Sequence, residues 1–298
     1  MSHTAHHALG FREIRPRPSA DELRAYYAQQ YFQQARGSYE LHYSETELAW
    51  IRSRSRVRVD AVVDAWRDLP APTAPRRLLD VGCGEGFGMQ AFRDRGWDVR
   101  GLDFSVAGIR AQNPCLESFL IPGDVQGSIT AEVVASNRYD CVTLINVLEH
   151  VLDPIILMES IHELLLPHGV LVVTVPNDFS RLQALALSEG HVEREYWVAP
   201  PDHLQYFDSD ALASISDATG WRVIDLLGDF PIEWFLFHPG SNYARLPAVG
   251  KLAHMARCTI ESQALSGKVS DALKFQRGLA AAGMCRNITA LLVSSRLK

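Results

Sequence analysis

Short apolar runs of strand length recur along the chain, and between them apolar residues fall at helical spacing. The runs are Leu78 to Val81, Val99 to Leu102, Ser118 to Ile121, Tyr139 to Asn146, Val170 to Val175, Trp221 to Leu226 and Ile288 to Ser294. Met89 to Arg95 is helix-length, and Ile156, Leu157, Ile161, Leu164 and Leu165 form the buried stripe of a second helix. Asp153-Pro154 opens that helix, because proline is pre-set for a first turn, and Pro167-His168-Gly169 closes it. Ser209 to Thr219 makes a third, stopped by Gly220. Strands alternating with helices predict an α/β domain, a mostly parallel sheet covered by helices on both faces.

Two regions lie outside this alternation. Residues 1 to about 19 carry His3, His6 and His7 and read as a loose terminus. From there to Trp66 the spacing is helical: Leu23, Tyr26, Tyr27, Tyr31 and Phe32 behind a cap at Ser19 or Asp21, then Leu48, Ile51, Val59, Val62, Val63 and Trp66. Arg52, Arg54, Arg56 and Arg58 pair at i,i+4 spacing and read as a solvated basic face rather than an anion clamp. The prolines at 70, 72 and 75 end the helical region, so an N-terminal helical cap is expected over 1–70 and the core over 71–298. The second region, 228–286, intervenes before the last strand. Its start is aromatic, from Phe230 to Phe237, and helices are expected near Lys251 to Leu265 and Ser270 to Ala282. It reads as a substrate-binding or homodimer-forming element, or as additional core packing.

Composition narrows the class. A net charge of −6 without a sustained basic block argues against a nucleic-acid partner. No apolar run reaches the roughly 18 residues that span a bilayer, and the N-terminus lacks a signal peptide's apolar region, so no membrane partner is expected. The five cysteines, at 83, 115, 141, 258 and 285, form no C-x-x-C pair, and free thiols in a cytoplasmic protein are expected.

The first strand runs into Asp80-Val81-Gly82-Cys83-Gly84-Glu85-Gly86-Phe87-Gly88. Glycines here let backbone N–H groups approach a ligand closely. A dinucleotide turn wants G-x-G-x-x-G, but Phe87 holds the third place, and the Asp80 carboxylate would repel a pyrophosphate. Near a cationic ligand the same carboxylate is favourable. DVGCGEG resembles motif I of the class I S-adenosylmethionine-dependent methyltransferases, and the resemblance continues from Leu78 to about Val175. It implies a Rossmann-like, seven-stranded, mostly parallel sheet and S-adenosyl-L-methionine as cofactor. It implies cofactor contacts from Asp80, Gly82, Gly84 and Gly86, from Asp103 with Phe104 at the second strand end, from Asp124 and Val125 near the adenine, and from Asn146. Asp103 would accept from both ribose hydroxyls. Asn146-Val147-Leu148-Glu149-His150-Val151 resembles the family's stretch lining the cofactor and the methyl-transfer site.

The stretch 177–207 gathers acids, histidines and aromatics after a strand end, the edge where open α/β sheets bind ligands. Pro200 to Phe207 resembles a segment of methyltransferases related to ubiquinone and sugar biosynthesis. Holding nucleophile and methyl in line supplies about 7–11 kcal/mol, and a hydroxyl acceptor also needs a base, worth about 10²–10⁴-fold. His203 is the expected base, with His150 or His191 second and Glu195 or Asp202 orienting an imidazole; no metal is expected, because the spacing matches no ligand motif. Tyr26, Tyr31, Tyr196, Trp197, Tyr206 and Trp234 are candidates to line the acceptor. The expected reaction is methyl transfer to a small polar acceptor, oxygen before nitrogen: a sugar, nucleotide-sugar, glycan or secondary metabolite. Two alternatives stay open, a non-methylating reaction such as ring closure on the same fold, and a catalytically silent cofactor-binding partner.

Overall fold

The computed structural model describes residues 4–19, 21–23, 42–67 and 75–296. The central sheet has seven strands: β3 (Arg77–Val81), β4 (Asp98–Asp103), β5 (Leu120–Pro122), β6 (Tyr139–Ile145), β7 (Leu165–Pro176), β9 (Trp221–Gly228) and β10 (Asn287–Ser294). Their spatial order is β5-β4-β3-β6-β7-β10-β9, with β10 antiparallel to both neighbours and the pairings from β5 to β7 parallel. Side chains alternate between faces with the strand period of two. Leu79, Val81, Val142, Leu144, Leu171 and Val173 enter one apolar cluster, while Leu78, Cys141, Val170 and Val172 enter the other. Because helices cover both faces, these strands read as nearly continuous apolar runs.

Helix α1 (Glu45–Ala65) precedes the sheet, and its Ser44 and Glu47 form a capping box that satisfies the first free N–H groups. Next come α2 (Phe87–Arg93), α3 (Ala107–Gln112), α4 (Val125–Val134) and α5 (Pro154–Ser160), the last with proline in its first turn. The stretch 177–207 contains a helix that its irregular composition hides, α6 (Arg181–Ser188), capped by the Ser180 hydroxyl. Helix α7 (Ser209–Ala218) leads into β9.

From Thr4 onward the N-terminal stretch is not loose; His3 lies outside the described residues. Thr4–His6 (β1) pairs antiparallel with Arg12–Ile14 (β2), and β2 pairs with Gln205–Tyr206 (β8) to make a second, three-stranded sheet. The physical reason is nonlocal: β2 finds its partner nearly two hundred residues later, and Phe11, 1% exposed, packs its ring 5.2 Å from Phe207. Tyr26, Tyr27, Tyr31 and Phe32 lie outside the described residues, as do residues 68–74 of the proline-rich link.

The arginine run is also reassigned. Arg54 pairs with Asp229, and Arg56 donates to the carbonyl of Leu265, so two of its members clasp the segment between β9 and β10. That segment carries α8 (Gly250–Ala264) and α9 (Val269–Ala281). Trp50 donates to Glu261 at 2.5 Å, Lys251 to Glu47 at 2.7 Å, and Arg277 bridges Asp64 and Asp225. Most of the insertion is therefore packed onto α1 and β9.

Replacing Phe11 with Ala should cost about 3–5 kcal/mol of stability, the usual range for a buried phenylalanine, read by urea denaturation. It should also open residues 199–207 to limited proteolysis; a cleavage pattern identical to wild type would show that the second sheet does not hold that loop.

Candidate active site

The glycine loop follows β3 at the C-terminal edge of the sheet. Gly82 has φ +69°, and a Cβ there would lie 2.5 Å from Val147 Cγ2, so no larger residue fits between the loop and the segment after β6. Gly84 also has positive φ, +53°, but a Cβ would meet nothing within 4 Å, so this glycine leaves an open side. The loop is held by the Asp103 carboxylate: Oδ2 accepts from the Gly84 N–H at 2.8 Å and Oδ1 from the Ser105 N–H at 3.0 Å. Each oxygen keeps a second lone pair for a ligand's hydroxyl. Burial pushes the Asp103 carboxyl upward, against the pull of these amides.

Asp80 sits beneath the loop and accepts from the Thr143 hydroxyl at 2.6 Å. Burial raises its carboxyl to about 6, with the Thr143 bond and the Arg58 charge opposing. Arg58, the fourth arginine of the run, lies on α1 and its charge acts on Asp80 as well as on Asp229 and Glu261 of the insertion. Glu85 accepts from the Tyr43 hydroxyl at 2.8 Å, and burial raises it to about 7. Asn146, exposed at φ +54°, and Phe104, 37% exposed, lie at the same strand edge. Asp124 caps α4 through its Oδ2, which accepts from Gly127 N–H at 2.7 Å, and Val125 begins that helix.

Three residues past Val147 lies His150. Its Nδ1 is 2.7 Å from the carbonyl of Asp202, which assigns the hydrogen to Nδ1, and its Nε2 lies 3.8 Å from Glu149 Oε1. The His203 ring stands edge-on to it at 5.0 Å. Glu149 is 1% exposed, and neither carboxylate oxygen has a hydrogen-bond partner; burial holds its carboxyl well above the ordinary range. Burial, then the charges of His150 and Arg286, push His203 down to about 3, so it is neutral throughout the physiological range. Glu149, His150 and His203 each offer one ligand atom, all within 4.8 Å of one another, a donor set that could hold a metal ion and that sequence spacing did not reveal.

The other candidates divide. His191 packs at a tilt against Phe237 of the insertion, ring centroids 4.8 Å apart, and Glu195 makes no hydrogen bond to either imidazole among the described residues. Trp197 is buried in a small cluster with Ala186, Val192 and Leu236. Tyr206 is buried too, its hydroxyl donating to the His203 carbonyl at 3.0 Å, so it braces the histidine loop. Tyr196 bonds Tyr243 at 3.0 Å between their hydroxyls, and Trp234 remains 46% exposed.

Residues 52–226 match the family model described as "Methyltransferase domain", more than half of the chain. The chain belongs to the class I S-adenosylmethionine-dependent methyltransferases. S-Adenosylmethionine is this methyltransferase's cofactor, and the open side of Gly84, the buried Asp103 carboxylate and the acid beneath the loop fit it. A ubiquinone biosynthesis O-methyltransferase of Paraburkholderia xenovorans is 27% identical over 199 residues, covering 65% of this chain and 82% of the relative. One from Pseudomonas aeruginosa is 30% identical over 172 residues, covering 55% and 72%. A crystal structure of a SAM dependent methyltransferase from Archaeoglobus fulgidus aligns with a TM-score of 0.49 at 14% identity, covering 81% of this chain and 93% of that one.

Beside the glycine loop and the two imidazoles lie residues to which the sequence analysis gave no individual role: Tyr43, Glu149, Asp178 and Arg286. Glu149 could have been found, since it adjoins His150 in an otherwise apolar stretch. Asp178 and Arg286, each just outside an apolar strand, carry a weaker signal of the same kind.

Asp103→Ala should weaken S-adenosylhomocysteine binding at least tenfold, about 1.4 kcal/mol, by calorimetry; unaltered affinity would remove Asp103 from the cofactor site. Glu85 gives a pH test. Its folded pKa lies above the ordinary value, so wild type loses stability as pH rises between the two. The advantage of Glu85→Gln over wild type should therefore grow from pH 5 to pH 8 in thermal melts; a constant difference would mean that Glu85 titrates normally.

Proposed function

We propose that this methyltransferase transfers a methyl group to a hydroxyl of a small polar acceptor, with His203 taking the hydroxyl proton. The observation that carries the reading is the pair of enclosed imidazoles, 5.0 Å apart, on the segment that abuts the glycine loop and on the loop after β7. An acceptor oxygen must shed a proton, and a neutral imidazole within reach is the usual acceptor. The O-methyltransferase names of the relatives support oxygen over nitrogen. Sugar, nucleotide-sugar, glycan and secondary-metabolite hydroxyls are all within the proposed class.

When bound, S-adenosylmethionine supplies an electrophilic methyl group on a sulfonium. Asp103 would hold the ribose diol, Gly82 and Gly84 would let the backbone approach, and Asp80 and Arg58, opposite charges on neighbouring elements, would receive the amino and carboxylate ends. His203 accepts the hydroxyl proton, and His150, fixed by the Asp202 carbonyl, keeps its Nε2 toward Glu149.

A second reading is favoured by the two unpartnered oxygens of buried Glu149. Glu149, His150 and His203 would then hold a divalent cation that lowers the pKa of the acceptor hydroxyl.

His203→Ala should lower turnover more than tenfold on responsive acceptors, scored over vicinal diphenols and sugars, while S-adenosylhomocysteine affinity stays within twofold. Unchanged turnover would remove His203 from the mechanism. Turnover lost on chelation and restored by added Mn²⁺ or Zn²⁺ would establish the cation reading; full activity in chelator would dismiss it.

A further inference from the structure

Asp178 stands two residues past the end of β7, and its side chain is 1% exposed. Its Oδ1 accepts from Arg286 Nη1 at 3.0 Å and from Gln183 Nε2 at 3.4 Å. Its Oδ2 has no hydrogen-bond partner and lies 3.9 Å from Nδ1 of His203, which has none either. Two unmatched buried groups of complementary chemistry thus face each other across a gap about 1 Å longer than a hydrogen bond.

The backbone keeps them in register. Asp178 N–H donates to the Phe207 carbonyl at 2.8 Å, Asn177 bridges Phe207 in parallel, and the Tyr206 hydroxyl braces the His203 carbonyl. The other acids are placed elsewhere: Asp202 faces His150 Nδ1 through its carbonyl at 2.7 Å and its carboxylate at 3.5 Å, and Glu149 lies 3.8 Å from His150 Nε2. Arg286 also reaches Glu233 of the insertion at 3.4 Å, so one guanidinium is shared by two carboxyl groups.

We propose that Asp178 is the positioning residue of His203: its free Oδ2 accepts the Nδ1–H of the imidazole and turns Nε2 toward the acceptor hydroxyl. Arg286, anchored by Glu233, fixes the other oxygen of Asp178 and so links the insertion to the base. The inference rests on the reading of His203 as the base. In the step, the hydroxyl proton passes to Nε2, the oxygen keeps the electron pair of its O–H bond, and Asp178 stays ionised as the counter-charge. Around the imidazole, burial and then the charges of His150 and Arg286 oppose a positive ring; the acids nearby are Asp178, which faces it, and Glu149 and Asp202, which lie against His150, and the Tyr206 ring is 6.2 Å away.

The test uses the full chain labelled with ¹⁵N-histidine and saturated with S-adenosylhomocysteine, comparing wild type with Asp178→Asn and Asp178→Glu and assigning the signal with His203→Gln. Wild-type His203 should carry its hydrogen on Nδ1 and titrate at least one pH unit above the Asp178→Asn protein. Turnover of Asp178→Asn should fall about tenfold or more, with its acidic limb moved to lower pH, cofactor affinity within twofold, and partial recovery in Asp178→Glu. A folded Asp178→Asn protein with unaltered His203 shifts, titration and turnover overturns the proposal. So does a wild-type His203 that carries its hydrogen on Nε2, a result that stands even if Asp178→Asn does not fold. Normal turnover in His203→Gln instead removes the base reading, while the tautomer and titration still report whether the pair exists.

Discussion

Where β7 ends, its last backbone groups are divided among segments distant in sequence, and the candidate site depends on that joint. Asn177 N–H donates to the Arg286 carbonyl at 2.8 Å, its side-chain amide to the Cys285 carbonyl at 2.9 Å, and Asp178 N–H to Phe207. A buried backbone group without a partner is costly, so these bonds leave little freedom in where the chain can run. One consequence is that the insertion must return beside β7 with Arg286 at its end. Another is that the His203 loop is pinned to the same point.

Charge is treated differently in the two halves of the molecule. Against α1, acids and bases are matched: Arg54 with Asp229, Lys251 with Glu47, Arg277 with Asp64 and Asp225. Around His203 they are not, because Glu149, Asp178 and Glu233 are all buried and each leaves at least one carboxylate oxygen unbonded, with Arg286 the cation among them. Unmatched buried acceptors lower stability, and a protein that keeps several together at a sheet edge is holding them for a ligand or a transferred proton.

The added segments have separable parts. The N-terminal strands extend a small sheet onto β8 and so stiffen the histidine loop from outside. In the insertion, α8 and α9 serve packing, whereas its first turn brings Glu233 to Arg286 and Phe237 to His191. The solvated-face reading of the arginine run failed for the same reason that the insertion was hard to assign. The partners of Arg54 and Arg56, Asp229 and Leu265, lie well over a hundred residues away.

The cofactor, the family and the three histidines worth testing came from the sequence's resemblance to known methyltransferases; by itself the sequence determined the strand and helix alternation and the glycine loop with Asp80 and Asp103. Those features depend on period, turn chemistry and spacing, which are local. Tertiary structure alone decided that Thr4–His6 and Arg12–Ile14 form a strand pair, that Trp197 and Tyr206 are buried, and that the charge of Arg58 bears on Asp80. It also decided which acid meets which imidazole. The spacing Asp202-His203 pointed to neighbours, yet Asp202 turns to His150 and the carboxylate facing His203 belongs to Asp178. Adjacent residues on an irregular loop project in different directions, so only the folded backbone sets which side chains face one another.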